Sequence, residues 1–240
     1  MKYLLLCCSF LILSSYTDIN KCKNSAYLLE KSKKYHDPNE SWSQLDWKFY
    51  IQEPRLQNPA RYSMVSLNNE SGEFELLRNR EQSISTHKID AAGNAEVLLD
   101  GRKDFSKQLQ EKYRLNATRN QGYRKFYQMM YGLPMSLTDD LVAKVKAAET
   151  ATFNQQEAYK IQIQLKEAMI GLYWRIFLST ENHKVIGLEI AKEENATTGE
   201  RLYFDGEFNY KGIQIPRIRH WYDLETEAYS GSDIILKELE

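Results

Sequence analysis

Two hydrophobic periods share this chain. Over residues 24–36 and 120–131 apolar positions recur every three or four residues, the period of a helix with one buried face. Over most of 42–100 and 148–239 they recur every second residue, the period of a strand with one buried face. In the first helical segment, Leu28, Leu29, Ser32, Tyr35 and His36 share a face, with Glu30, Lys31, Lys33 and Lys34 opposite. Asp37-Pro38-Asn39 ends it, because proline disfavours helical geometry in the residue before it. The second helix, Asn120 to Tyr131, carries Tyr123, Phe126, Tyr127, Met130 and Tyr131 at helical spacing and stops at Gly132 and Pro134. A shorter helix over Phe105 to Tyr113 precedes it.

The alternating segments predict a meander. Trp42 to Ile51 reads as a strand with an early irregularity; Arg61–Asn68, Glu73–Leu77, Ser83–Ile89 and Glu96–Leu99 follow, with Gly72, Gly93 and Gly101 in the turns. After the second helix come Ala148–Phe153, Tyr159–Leu165, Leu172–Leu178, Val185–Ile190, Arg201–Phe208, Ile213–Tyr222 and Ile234–Leu239. In Leu172–Leu178 both faces carry apolar residues, so that strand is expected to be central and covered twice. The predicted class is α+β, an up-and-down antiparallel sheet with one or two helices packed on it.

Composition supports a packed domain, with 42% hydrophobic and 12% aromatic residues among 240. A net charge of −1 gives no single-signed field to draw in nucleic acid. The first residues read as an export leader: Lys2, the apolar run Leu4–Leu13, then Ser14 and Ser15. Cleavage near residue 16 leaves one domain over 17–240 and no transmembrane segment in the mature chain. Cys7 and Cys8 lie inside the leader, so the mature chain keeps Cys22 alone and no internal disulfide. None of the three follows a lipoprotein-type sequence, and lipid anchoring stays open. The expected location is the periplasm or the periphery of an outer membrane.

Chemistry is sparse. His36, His87, His183 and His220 have no metal-ligand spacing, and neither a phosphate loop nor a nucleophile elbow is present. No catalytic residue, cofactor or metal is expected. Glu189, Glu207 and Asp233 stand out only as acids that distant strands could bring together. The aromatic stripe is the main candidate: a roomy gap between the second helix and the concave face of the sheet would bind an apolar ligand. Tyr123, Phe126, Tyr127, Met130, Trp174 and Trp221 are its expected lining.

Several segments also resemble a known family. They are Tyr35-His36-Asp37-Pro38-Asn39 with Trp42, Tyr123 to Leu137 with its Tyr-Gly-Leu-Pro-Met-Ser-Leu, Gly199-Glu200, Gly212-Ile213, Pro216, Arg219, Trp221-Tyr222 and Gly231-Ser232-Asp233. Together they are similar to an exported bacterial family, flavobacterial in type, catalogued as domain of unknown function 6503. The resemblance implies a strongly curved half-barrel with helices in its concavity, similar to the Lol-type lipoprotein carriers. It brings no established activity and no catalytic residues. It also implies that relatives carry cysteines at the positions of Ala95 and Ala117, whose disulfide this chain lacks.

Three readings of function follow. The first is a binding module for a lipid or acyl chain in the concave face. The second is a structural or protein-interaction module of the cell envelope with a filled core. The third is a hydrolase with a site assembled from distant strands.

Overall fold

The structure, a computed structural model, describes residues 24–238; the expected leader and all three cysteines lie outside the described residues. Helix α1 (Ser25–His36) opens the fold, with the Asn24 side chain accepting from the amides of Ala26 and Tyr27 as its N-cap. Five strands follow: β1 (Asp46–Gln52), β2 (Tyr62–Asn68), β3 (Phe74–Arg80), β4 (Ser83–Ile89) and β5 (Ala95–Leu99). Helices α2 (Lys107–Tyr113) and α3 (Asn120–Tyr131) come next. Eight more strands complete the chain: β6 (Val142–Val145), β7 (Glu149–Phe153), β8 (Gln156–Met169), β9 (Gly171–Ser179), β10 (Val185–Ala191), β11 (Glu200–Tyr210), β12 (Ile213–Asp223) and β13 (Tyr229–Glu238).

All thirteen strands belong to one antiparallel sheet in the order β5-β4-β3-β2-β1-β13-β12-β11-β10-β9-β8-β6, with β7 also paired to β8. Each half is a meander, and the halves join where β1 meets β13. The sheet is curved and open, because its edges β5 and β6 do not pair. This is the α+β up-and-down antiparallel sheet expected from the alternating pattern, in the curved half-barrel form that the family resemblance implied.

The inward positions form one core with the helices. Trp47 stacks on Phe49 at 4.7 Å between ring centres, and Tyr131 of α3 packs 5.9 Å from Trp47. Val65, Leu67, Leu76, Ile161, Ile163, Trp174, Ile176, Leu188, Leu202 and Ile215 bring in the other strands, and Leu28 brings in α1. Strand β9 is covered on both faces, as its composition predicts: Phe177 faces away from this core and stacks on Phe153 at 3.9 Å. Helix α2 stands apart, with Tyr113 in a small cluster with Leu99 and Leu115. No described helix is long and apolar enough to cross a membrane.

Several element ends differ from the sequence reading. Strand β13 begins at Tyr229, five residues before the expected Ile234, because Ser230-Gly231-Ser232-Asp233 carries no apolar alternation to mark a strand. Gly231 is in the strand for a packing reason. A Cβ there would come within 2.5 Å of the Pro54 carbonyl, and its φ of +154° suits glycine. Strand β8 runs on to Met169 beyond the apolar alternation, and the short β6 gave no periodic signal.

Candidate functional site

The site grows from a charged cluster at one end of the core. On β3 the inward phase runs Phe74, Leu76, Arg78, so the strand's alternation places a guanidinium where an apolar side chain is due. Its partner is Glu53, just after β1. Glu53 Oε1 accepts from Arg78 Nη2 at 3.1 Å and from Tyr127 Oη at 3.1 Å. Its Oε2 accepts from Ser63 Oγ at 2.6 Å and from Arg61 Nε at 3.1 Å. Arg78 also donates to Ser63 Oγ and to Tyr127 Oη. Burial pushes the Glu53 carboxyl up, but Arg78, Arg61 and the Ser63 hydroxyl outweigh it and hold it down at about 2.

A second pair lies alongside. Arg55 Nη2 donates to Asp233 Oδ1 at 2.6 Å, and Trp221 Nε1 donates to Asp233 Oδ2 at 2.8 Å. Asp233 therefore fixes both a guanidinium and the edge of an indole. The Trp221 ring lies 6.5 Å from Phe126 at 28°, so α3 and β12 share an aromatic wall.

These groups line a cleft of about 630 Å³ beside α3. Tyr123, Phe126 and Trp221 form its aromatic side, and Met169 and Ile170 of the β8–β9 turn extend the apolar surface. Ile170 is 48% exposed and has φ +62°, a conformation that β-branched residues rarely adopt. Arg55, Arg61, Arg78 and Arg119 supply the charge.

Of the six residues expected to line a ligand site, the structure brings three together here: Tyr123, Phe126 and Trp221. The other three are interior. Tyr127 and Met130 are buried under α3, the first with its hydroxyl engaged by Glu53 and Arg78. Trp174 is wholly buried and donates to the Gly171 carbonyl at 3.2 Å. The space between α3 and the floor of the sheet is thus occupied by side chains, and the open volume lies beside the helix. Sequence reasoning missed the arginines and Glu53. The available signal was Arg78 in the inward phase of β3, a charge inside an apolar alternation.

The remaining candidates have structural partners. His36 is buried at the end of α1, where its Nδ1–H donates to the Gln214 carbonyl at 2.6 Å and its Nε2 accepts from the Val185 amide at 3.0 Å. Asp37 accepts from the Ser41 and Trp42 amides and closes the turn after α1. Glu189 pairs with Arg175 and Arg201, Glu207 with Tyr35 and Lys184, and Asp233 with Arg55. The three acids sit in separate networks. Among the described residues no group of three or more His, Cys, Asp or Glu is placed to hold a metal.

Comparison with known proteins places this architecture. A family model described as a family of unknown function, DUF6503, matches residues 1–237. The chain belongs to this family. No curated protein matches it. Among solved structures, it is similar to an outer membrane lipoprotein-sorting protein domain from Vibrio parahaemolyticus: 11% identity, TM-score 0.53, covering 88% of this chain and 91% of that one. It is also similar to a LolA superfamily protein from Nitrosomonas europaea: 10% identity, TM-score 0.50, covering 90% and 95%. At such identity the likeness is one of fold, the open curved sheet with helices in its concavity. The DUF6503 chain thus has a LolA-like fold.

Proposed function

We propose that this DUF6503 protein is an exported binding module, of the periplasm or outer-membrane periphery, that takes the apolar chain of a lipid-like ligand. The observation that carries this reading is the 630 Å³ cleft with its wall of Tyr123, Phe126, Trp221, Met169 and Ile170. A volume in the range of ligand pockets, lined by aromatic and aliphatic groups with a few fixed polar ones, suits such a chain. Each buried methylene contributes about 0.8 kcal/mol. The chain lies beside α3 rather than beneath it, since Tyr127, Met130 and Trp174 fill the space under the helix. The fold shared with proteins described as lipoprotein-sorting and LolA-like supports a carrier type of module. The leader expected at Leu4–Leu13 supports export.

The filled concavity favours a second reading, an envelope interaction module that works through its surface. Native mass spectrometry of the mature protein from its own envelope, with lipid extraction, separates the two. Binding gives a stoichiometric lipid that is lost on Phe126→Glu, a substitution at a half-buried cleft position. A clean ligand-free mass supports the interaction module.

A further inference from the structure

The charges in the cleft are unevenly matched. Glu53 neutralises one guanidinium, yet Arg61 and Arg78 both bind it. Arg119, exposed at the start of α3, makes no ion pair among the described residues. Arg80 follows Arg78 by two residues, so the two share a strand face, and its Nε is buried without a hydrogen-bond partner. Burial, and then repulsion from Arg78, Arg61 and Arg114, weigh against the charged form of the Arg80 guanidinium. Arg61, Arg78 and Arg119 thus line the cleft with Tyr123, Glu53 being the carboxylate that Arg61 and Arg78 share, and Arg80 stands beside Arg78 on the same strand face. Two other acids line the cleft: Asp233 is taken by Arg55 and Trp221, and Glu200, near Arg55, lies across from Asp223 at the start of β11.

A partly desolvated cation without a partner is costly, and an anion relieves that cost. Guanidinium forks match phosphate and carboxylate oxygens in pairs. There is also room: a Cβ built on Gly122, in the first turn of α3, meets nothing within 4 Å.

We propose that the ligand's head carries an anionic group, a phosphate or a carboxylate, held at the Arg61–Arg78–Arg80–Arg119 end while its apolar chain runs along Tyr123, Phe126 and Trp221. This rests on the reading of the cleft as an apolar-chain site. The head group and the chain make distinct contacts, so they are tested separately.

Calorimetric titration of the mature protein with dodecyl phosphate, 1-dodecanol and inorganic phosphate makes the test, each amphiphile kept below its aggregation limit. The expected result is dodecyl phosphate binding about tenfold or more tightly than dodecanol, the scale of one charge-assisted hydrogen bond. Inorganic phosphate binds more weakly than dodecyl phosphate. The tenfold preference shrinks in Arg119→Gln, in Arg80→Met and at high salt, while dodecanol affinity holds. Arg119 is exposed and Arg80 Nε has no partner to lose, so both variants are expected to fold. Equal affinity for dodecyl phosphate and dodecanol overturns the anionic head and leaves the apolar site standing. Binding of neither overturns the apolar site itself. Inorganic phosphate binding as tightly as dodecyl phosphate makes this a free-anion site, and a preference untouched by both substitutions removes it from these arginines.

Discussion

Glu53 bears the most consequence of any single side chain near the cleft. It is buried and accepts from Arg61, Arg78, Ser63 and Tyr127. Glu53→Gln keeps the shape and removes the charge, leaving Arg78 buried without its counter-ion. The expected loss is roughly 3–5 kcal/mol in denaturant unfolding. Its folded pKa, about 2, lies below the ordinary 4.5. The stabilisation is therefore complete above about 4.5 and disappears as pH falls toward 2, and Glu53→Gln should flatten that acid limb. Two histidines act higher on the scale. Burial pushes both His36 and His87 from 6.5 to about 4, against the hydrogen bonds to Gln214 and Asn120. Both stay neutral when folded, so stability is full above 6.5 and falls as pH drops toward 4. Replacing either with Gln should reduce the slope of melting temperature against pH in that window, whatever it does to the absolute value. His36 as a buried structural residue was legible in the sequence from its place on the apolar face of α1. Glu53 was not, because a carboxylate after a strand reads as solvated until its arginines are seen around it.

The elements show why half of the expected lining moved inside. The stripe on α3 is wide enough to do two things. Tyr127, Met130 and Tyr131 face the sheet, while Tyr123 and Phe126 sit at the flank, half-buried. Spacing of three and four identifies the stripe but cannot say where the buried face ends and the cleft begins. Asn120 sets that angle: it donates to the carbonyls of Lys88 and Glu96, both at 2.8 Å, and so ties the start of α3 to β4 and β5. The short turn over 117–119, just before α3, also packs against β5. The β8–β9 turn carries the opposite wall. There Ile170 holds a left-handed conformation that costs a non-glycine residue about 1–2 kcal/mol, while 48% of it stays exposed. Ile170→Gly is expected to leave thermal stability unchanged or raise it by up to about 1 kcal/mol, after the entropy cost of glycine. The same variant should bind dodecanol about fivefold more weakly. A stability loss without a binding loss would assign Ile170 to packing alone.

For the whole molecule, the two periods gave both the class and nearly every element, because one buried face per strand is written directly as alternation. What stayed hidden was long-range. The first meander joins the last strand, β1 against β13, where Gly231 lets β13 approach Pro54 and Arg55 just after β1, in a stretch with no apolar alternation. The charged cleft depends on six separate stretches of chain meeting: the segment after β1, β3, α3, the β8–β9 turn, the start of β11 and the β12–β13 pair. No local pattern encodes such a meeting. The central claim is that this cleft, and not the concavity under α3, receives an apolar chain. A crystal of the mature protein soaked with 12-bromododecanol, with anomalous scattering used to find the bromine, tests it directly. The expected result is bromine within contact of Phe126, Trp221 or Met169. Bromine beneath α3 against Met130 and Trp174, or no ordered bromine at a saturating concentration, would contradict it.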